Sequence, residues 1–218
     1  PRLQTQVRIL IAISDTSTLQ KASCPNSVGN FVILRRLRIK GIYNQPKNFL
    51  EVFWKTPITG WIKINVDGAY KGNPSPAGCG DIFRDSHGHI LGFFFGGCGS
   101  ASALEAEIMT VIHAVNFVKI KGWNNIWIES DSTTIIQAIW NGVVHLAWSL
   151  TAHWKNCLSS LQELRYIATH NYSEENMVAD GLSKKGVNQD ITWTDDLPVE
   201  LLPFYEKDCN KNSSFRLL

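Results

Sequence analysis

No stretch of the chain approaches the ~18–20 consecutive apolar residues of a membrane-spanning helix, so no membrane partner is expected for it. Cysteine is sparse, five residues with no CxxC pair and no zinc-ligand spacing. That pattern fits free thiols in a reducing compartment, so the expectation is an intracellular protein, nuclear or cytoplasmic. Neither sign of charge dominates, with a formal net charge of +2. The chain therefore lacks an overall basic field, although nucleic-acid binding depends on local patches and stays open. A cleavage site is missing too: PRLQTQVRILIAIS has one short apolar run and reads as the cut end of a longer product rather than a signal peptide.

What the chain does contain is core material. Its 218 residues are 44% apolar and include eight tryptophans, enough for one medium domain with a tail or two small domains. Residues 1–56 are irregular, with turn formers at 23–30 and 44–48 around a short apolar stretch at 31–34. The basic run RRLRIK at 35–40 fits either a nuclear address or nucleic-acid arm, or the solvated edge of a short helix or strand. This segment reads as a partly ordered linker, followed by a domain over 57–186 and a loop-like tail over 187–218.

Periodicity becomes regular at Trp61. Lys63, Asn65 and Asp67 alternate with Ile62, Ile64 and Val66, which predicts a strand over 61–67 with two unlike faces. The following GNPSPAGCG is expected to form a turn rather than more strand. Strands are expected at 79–85 and 90–95, joined by the tight turn SHGH into an antiparallel hairpin, with a loop over 96–102. Ile108, Val111, Ile112, Val115 and Val118 recur at helical spacing, which predicts a helix over 103–121 ended by Gly122. A strand at 126–129, two amphipathic helices, a strand at 165–169 and a helix at 175–185 complete the order βββαβαβα. That order predicts an α/β fold, a five-stranded mixed sheet with helices on both faces.

The acids fall at telling places on this outline. Asp67 and Asp131 each end a strand, and a crossover helix would make those strands parallel, so both would lie at the carboxyl-end crevice where open α/β sheets bind ligands. Glu107 shares its helix face with Val111, Ala114 and Val118, and Asp180 borders Val178, Ala179 and Leu182. Four carboxylates from four elements would repel one another without a cation, and hard oxygen donors suit Mg²⁺ or Mn²⁺. Two such ions would clamp the attacking and leaving oxygens of a phosphodiester displacement. Taken singly, each acid is equally well a cap or a surface charge. Asp131, between two serines, suits an N-cap, and Glu105 competes with Glu107 from another helix face.

Four blocks, DGAYKGNPSPAGCG, EAEIMTVIHA, IESDS and HNYSEENMVADGLS, resemble in order and spacing the motifs of the ribonuclease H domain. GWIKINVDGAYKGNPSPAG followed by IFRDSHGHIL is similar to the ribonuclease H-like domains of plant non-LTR retroelement proteins. The resemblance implies a ribonuclease H-like fold and a two-metal endonuclease that cuts the RNA strand of RNA–DNA hybrids. It places Asp67, Glu107, Asp131 and Asp180 as metal ligands for two Mg²⁺ ions, with Mn²⁺ an alternative. His170 matches a mobile histidine that aids proton transfer or product release. Gly68, Asn73, Ser132 and Asn176 fall at positions for nucleic-acid contact, with the Gly72-Asn73 turn and the 96–102 loop expected to meet the hybrid's shallow groove. The partner implied is hybrid or other nucleic acid, bound by a monomer once part of a reverse transcriptase polyprotein.

Three positions depart from the pattern. Asp81 stands where related plant domains usually have glycine, which would add negative charge near the cleft. Ser173 replaces an arginine, and no basic protrusion lies between Trp140 and Trp148. These departures keep a second reading in play, a catalytically weak or inactive nucleic-acid-binding remnant.

Overall fold

A computed structural model describes residues 23–24, 28–36, 42–43, 49–70, 72, 75–142 and 144–217. The chain divides into two units, Pro1–Val52 with Ser213–Leu218, and Phe53–Asn212. In the smaller unit, β1 (Ser23–Cys24) pairs in parallel with β2 (Ile42–Tyr43), and α1 (Val28–Arg36) lies between them in sequence. Arg35 and Arg36 of the basic run close α1, while residues 37–40 lie outside the described residues. A further strand, β3 (Phe49–Val52), also belongs to this unit.

The larger unit is built on a sheet. The alternation at 61–67 does form a strand, β4 (Ile62–Tyr70), which runs three residues beyond Asp67. Next, β5 (Ser75–Arg84) and β6 (Ile90–Ala101) form the hairpin. Ser75 and Pro76 begin β5 rather than belonging to a turn, because the first residue positions of a strand tolerate a missing N–H donor. The expected 96–102 loop is likewise strand, since β6 continues opposite β5 as far as Ala101. Then follow α2 (Ala103–Lys121), β7 (Asn125–Ser130), α3 (Thr133–Asn141), α4 (Trp148–Gln162), β8 (Arg165–His170) and α5 (Met177–Gly186).

Residues 187–217, expected to be loop-like, carry regular structure. They contain β9 (Thr192–Thr194), α6 (Leu202–Cys209) and β10 (Ser214–Leu217), which pairs antiparallel with β3 in the smaller unit. Because β9 joins β6, the sheet has six strands rather than five, in the order β8-β7-β4-β5-β6-β9. A three-residue strand is too short to announce itself by periodicity. As expected, β4 and β7 run parallel and the hairpin runs antiparallel, and β8 also pairs in parallel with β7.

Helices cover both faces. On one, Ile64, Val66, Phe83 and Phe94 pack against α2, α3 and α4 through Ile108, Val115, Ile135, Trp154 and Leu161. On the other, Ile82, Phe93 and Phe95 pack against Val178 and Leu182 of α5 and against Leu197 and Leu201. The two ends of α2 are secured chemically. Ser102 and Glu105 form a reciprocal capping box, and Gly122 ends the helix at φ 69°. Glu105, the rival to Glu107, is therefore a cap.

Pairing of β5 with β6 also brings Cys79 and Cys98 together, Cα–Cα 6.4 Å, in a disulfide, whereas Cys157 and Cys209 are free. The expectation of free thiols fails for this pair because Cys98 sits on strand where a loop was expected.

Candidate active site

Under the sheet, the polar face of β4 is buried rather than solvated. Lys63 and Asn65 are 1% and 0% exposed. Lys63 Nζ lies 2.7 Å from Glu129 Oε2 and donates to the Lys55 carbonyl at 2.6 Å. Burial lowers the Lys63 ammonium to about 8 even though Glu129 opposes the shift. Asn65 Oδ1 accepts from Trp54 Nε1 (2.9 Å) and Arg84 Nη2 (2.6 Å), while its Nδ2 reaches Glu129 and Asn176 at 3.3 and 3.2 Å. These buried side chains are tied to one another by hydrogen bonds and the Lys63–Glu129 ion pair, with Arg84 Nε left unpaired, and the network fixes β4 from beneath.

That support positions Asp67. Close backbone approach brings its neighbours in: a Cβ on Gly68 would fall 2.6 Å from the Glu107 amide nitrogen, so α2 rests directly on β4 beside the carboxylate. Side chains at Gly78 and Gly80 would strike the backbone of α5 at Ser183. With both positions bare, the Ser183 hydroxyl donates to Asp67 Oδ2. Asp67, Gly68, Asp180, Lys184 and Val187 line a cleft of about 360 Å³. A larger hollow of about 530 Å³, lined by Glu105, His113, Asn116 and His153 among others, includes none of the four acids and is set aside as the reaction site.

The four acids come from β4, α2, the β7–α3 turn and α5, and they sense one another. Burial, then the charges of Asp131, Asp180 and Glu107, push the Asp67 carboxyl up to about 7 against the Ser183 hydrogen bond. Glu107 is raised by burial and by Asp131, while a hydrogen bond from Ser132 opposes the rise. The cluster is nonetheless open. Among the described residues, the one group of three whose ligand atoms all lie within 4.8 Å is Asp85, His87 and His89, so no three of the site acids approach that closely. Lys184 Nζ holds Asp180 at 2.7 Å.

The remaining expected residues divide. His170 is exposed, stacks edge-on with Tyr172 at 5.7 Å, and its Nε2 lies 3.1 Å from the Asp131 carbonyl. Ser132 caps α3 through the Ile135 amide. Asn176 is 1% exposed and donates to the Val66 carbonyl at 3.0 Å, so its amide braces β4 instead of facing outward. Asn73 lies outside the described residues. Asp81, expected to add charge near the cleft, is fully buried, Thr110 Oγ1 donates to it, and burial raises its carboxyl well above the usual range, which favours the protonated form. Ser183 and Lys184 were missed, although they follow Asp180 by three and four residues, the spacing that puts side chains on one helix face.

No described helix is long and apolar enough to cross a membrane. A protein of Arabidopsis thaliana that carries a provisional ribonuclease H name is 33% identical over 140 residues, 64% of this chain and 22% of that protein. The ribonuclease H of Syntrophomonas wolfei is 35% identical over 95 residues, 44% of this chain and 62% of that one. The chain thus spans less than two thirds of either relative. Among solved structures, ribonuclease H1 from Halobacterium salinarum superposes with a TM-score of 0.53 at 23% identity over 58% of this chain and 96% of that one. LC11-RNase H1 in complex with an RNA/DNA hybrid gives 0.53 at 22%, again over 58% and 96%. At such identities the likeness is one of fold, and it gives the six-stranded sheet its name, ribonuclease H-like. The family model described as reverse transcriptase-like matches residues 65–186, the stretch that carries all four acids, and the chain belongs to that family.

Proposed function

We propose that this chain is a divalent-metal-dependent endonuclease that hydrolyses the RNA strand of RNA–DNA hybrids. The observation that supports this reading is the shared field of Asp67, Glu107, Asp131 and Asp180 on a ribonuclease H-like sheet: burial first, and then the charges of the other three acids, push the Asp67 carboxyl up to about 7. Half-buried carboxylates offering oxygen donors, with Lys184 at Asp180, fit hard cations such as Mg²⁺ or Mn²⁺. Bound there, such ions would activate water and stabilise the leaving 3′-oxygen. Asp67, fixed from beneath by the Asn65 network, would set their position, and Glu107, Asp131 and Asp180 would complete the ligand set. His170 is exposed beside Asp131 and free to reach solvent, as a proton carrier requires.

A second reading, a nucleic-acid-binding remnant without catalysis, draws support from Lys184 on Asp180 and from the open spacing of the acids. Cleavage of a labelled RNA–DNA hybrid in Mg²⁺ separates the two. The enzyme reading expects the wild type to cut and Asp67→Asn to lose activity while still binding hybrid. Binding without cutting by the wild type, or equal cutting by the variant, overturns it.

A further inference from the structure

The β5–β6 turn carries a group of metal-ligating side chains that the hybrid-cleaving reading does not use. The geometry points to a second metal site: Asp85, His87 and His89 form a binding site for a divalent transition-metal ion of the zinc class.

The turn is built to aim three donors at one point. Asp85 Oδ1 accepts from the amides of His87 (2.8 Å) and His89 (2.9 Å), which ties down one oxygen and presents the other. Oδ2 then lies 3.3 Å from His89 Nδ1 and 3.7 Å from His87 Nδ1. The imidazoles stack with centroids 5.6 Å apart at 19°, so both rings face the same side. A tetrahedral ion with bonds of about 2.0–2.2 Å to nitrogen and oxygen separates its ligands by roughly 3.3–3.5 Å. Both histidine nitrogens therefore stand within a few tenths of an ångström of ligand spacing from Asp85 Oδ2, and all three donors lie within 4.8 Å of one another before any ion binds.

The backbone beneath is held as well. Asp85 N donates to the His89 carbonyl and Gly88 N to the Asp85 carbonyl, each at 3.0 Å. Gly88 adopts φ 85° and is buried near Trp54, and Tyr205 Oη donates to its carbonyl at 3.2 Å. Hydrogen bonds that orient a ligating carboxylate are a regular feature of metal centres. Two imidazoles and one carboxylate select zinc-class ions over Mg²⁺, which prefers oxygen. Both histidine side chains are 74% exposed, so coordination positions remain open to water or an outside ligand.

This site is separate from the four acids. Asp67 pairs with Gly80 and Lys63 with Arg84, so the turn leaves the hairpin at the far end of the ladder, roughly 13 Å along β5 at about 3.3 Å per residue.

The test is calorimetric titration of Zn²⁺ into the untagged full chain in saturating Mg²⁺, with Co²⁺ absorption reporting coordination geometry. The expected result is one tight ion per chain. His87→Gln and His89→Gln each weaken it by about tenfold or more. Asp85→Asn, which keeps Oδ1 for the turn amides, weakens it too, while His153→Gln and Asp67→Asn leave it unchanged. Matching metal-free melting curves establish that the variants fold. Absence of tight binding, binding indifferent to His87 and His89, or loss of binding in Asp67→Asn overturns the proposal.

Discussion

Arg84 and Asp208, 124 positions apart in the chain, form a buried ion pair, with Nη1 2.7 Å from Oδ2 and side chains only 1% and 8% exposed. The guanidinium also lies 3.7 Å over the Trp54 ring. Removing one partner leaves a buried charge alone, so Asp208→Ala is expected to destabilise by about 3–5 kcal/mol. Replacing both, as Arg84→Met with Asp208→Leu, is expected to cost less than the single change, because desolvation disappears with the charges. Urea unfolding of the two variants decides, and a double variant weaker than the single one refutes the argument.

Asp67 links stability to pH. Its carboxyl stands at about 7 in the folded chain against an ordinary 3.8, so the folded state holds a proton that the unfolded chain releases. This contribution is complete below pH 3.8 and is lost as pH rises through about 7, up to about 4 kcal/mol in all. In EDTA, Asp67→Asn is therefore expected to melt above the wild type at pH 8 and to match it near pH 4. Mg²⁺ should reverse the order at pH 8 by stabilising only the wild type.

Lys184 competes for Asp180. The lysine is 66% exposed, and exposed pairs contribute about 0.2–1 kcal/mol. Lys184→Met is expected to strengthen Mg²⁺ binding by no more than about fivefold. Weaker binding in calorimetry would show that the lysine supports the site.

Ser183 tunes Asp67 by hydrogen-bonding its ionised form. Ser183→Ala is expected to move the acid limb of the cleavage pH–rate profile to higher pH, with smaller change on the plateau. An unshifted limb with a uniformly lower rate would assign Ser183 a packing role alone.

Asp81 is expected to behave as a neutral residue. Its raised carboxyl makes stability fall as pH climbs through its folded value, whereas Asp81→Asn carries no such slope. Hybrid cleavage at neutral pH should be equal in the two proteins. A rate gain in the variant would show that Asp81 does bring charge to the cleft.

Much of this architecture was legible in the chain's periodicity. The helix over 103–121 matches the structure end to end because capping box and terminal glycine both act locally. Glu107 and Asp180 lie on helices and Asp131 follows the end of β7, as spacing predicts, whereas Asp67 was expected to end its strand and instead lies three residues inside β4. What escaped was long-range or neutral to pattern. The polar face of β4 has the alternation of a solvated strand, yet Trp54, Glu129 and Asn176 bury it from three separate segments. Asn176 looks like a surface ligand until its bond to the Val66 carbonyl is seen. Asp81 reads as a charge because the burial that raises its carboxyl comes from tertiary packing that local pattern does not show.

The strand β9 has a consequence for handling the protein. Phe93, Phe94 and Phe95 pair there with Thr194, Trp193 and Thr192, so this short strand covers an otherwise open row of amides and carbonyls. A fragment trimmed at residue 186, where the family match ends, would present three consecutive phenylalanines on a bare sheet edge, a template for strand addition between molecules. Such a fragment should self-associate, and expression boundaries for this chain belong well beyond the last metal-ligand candidate.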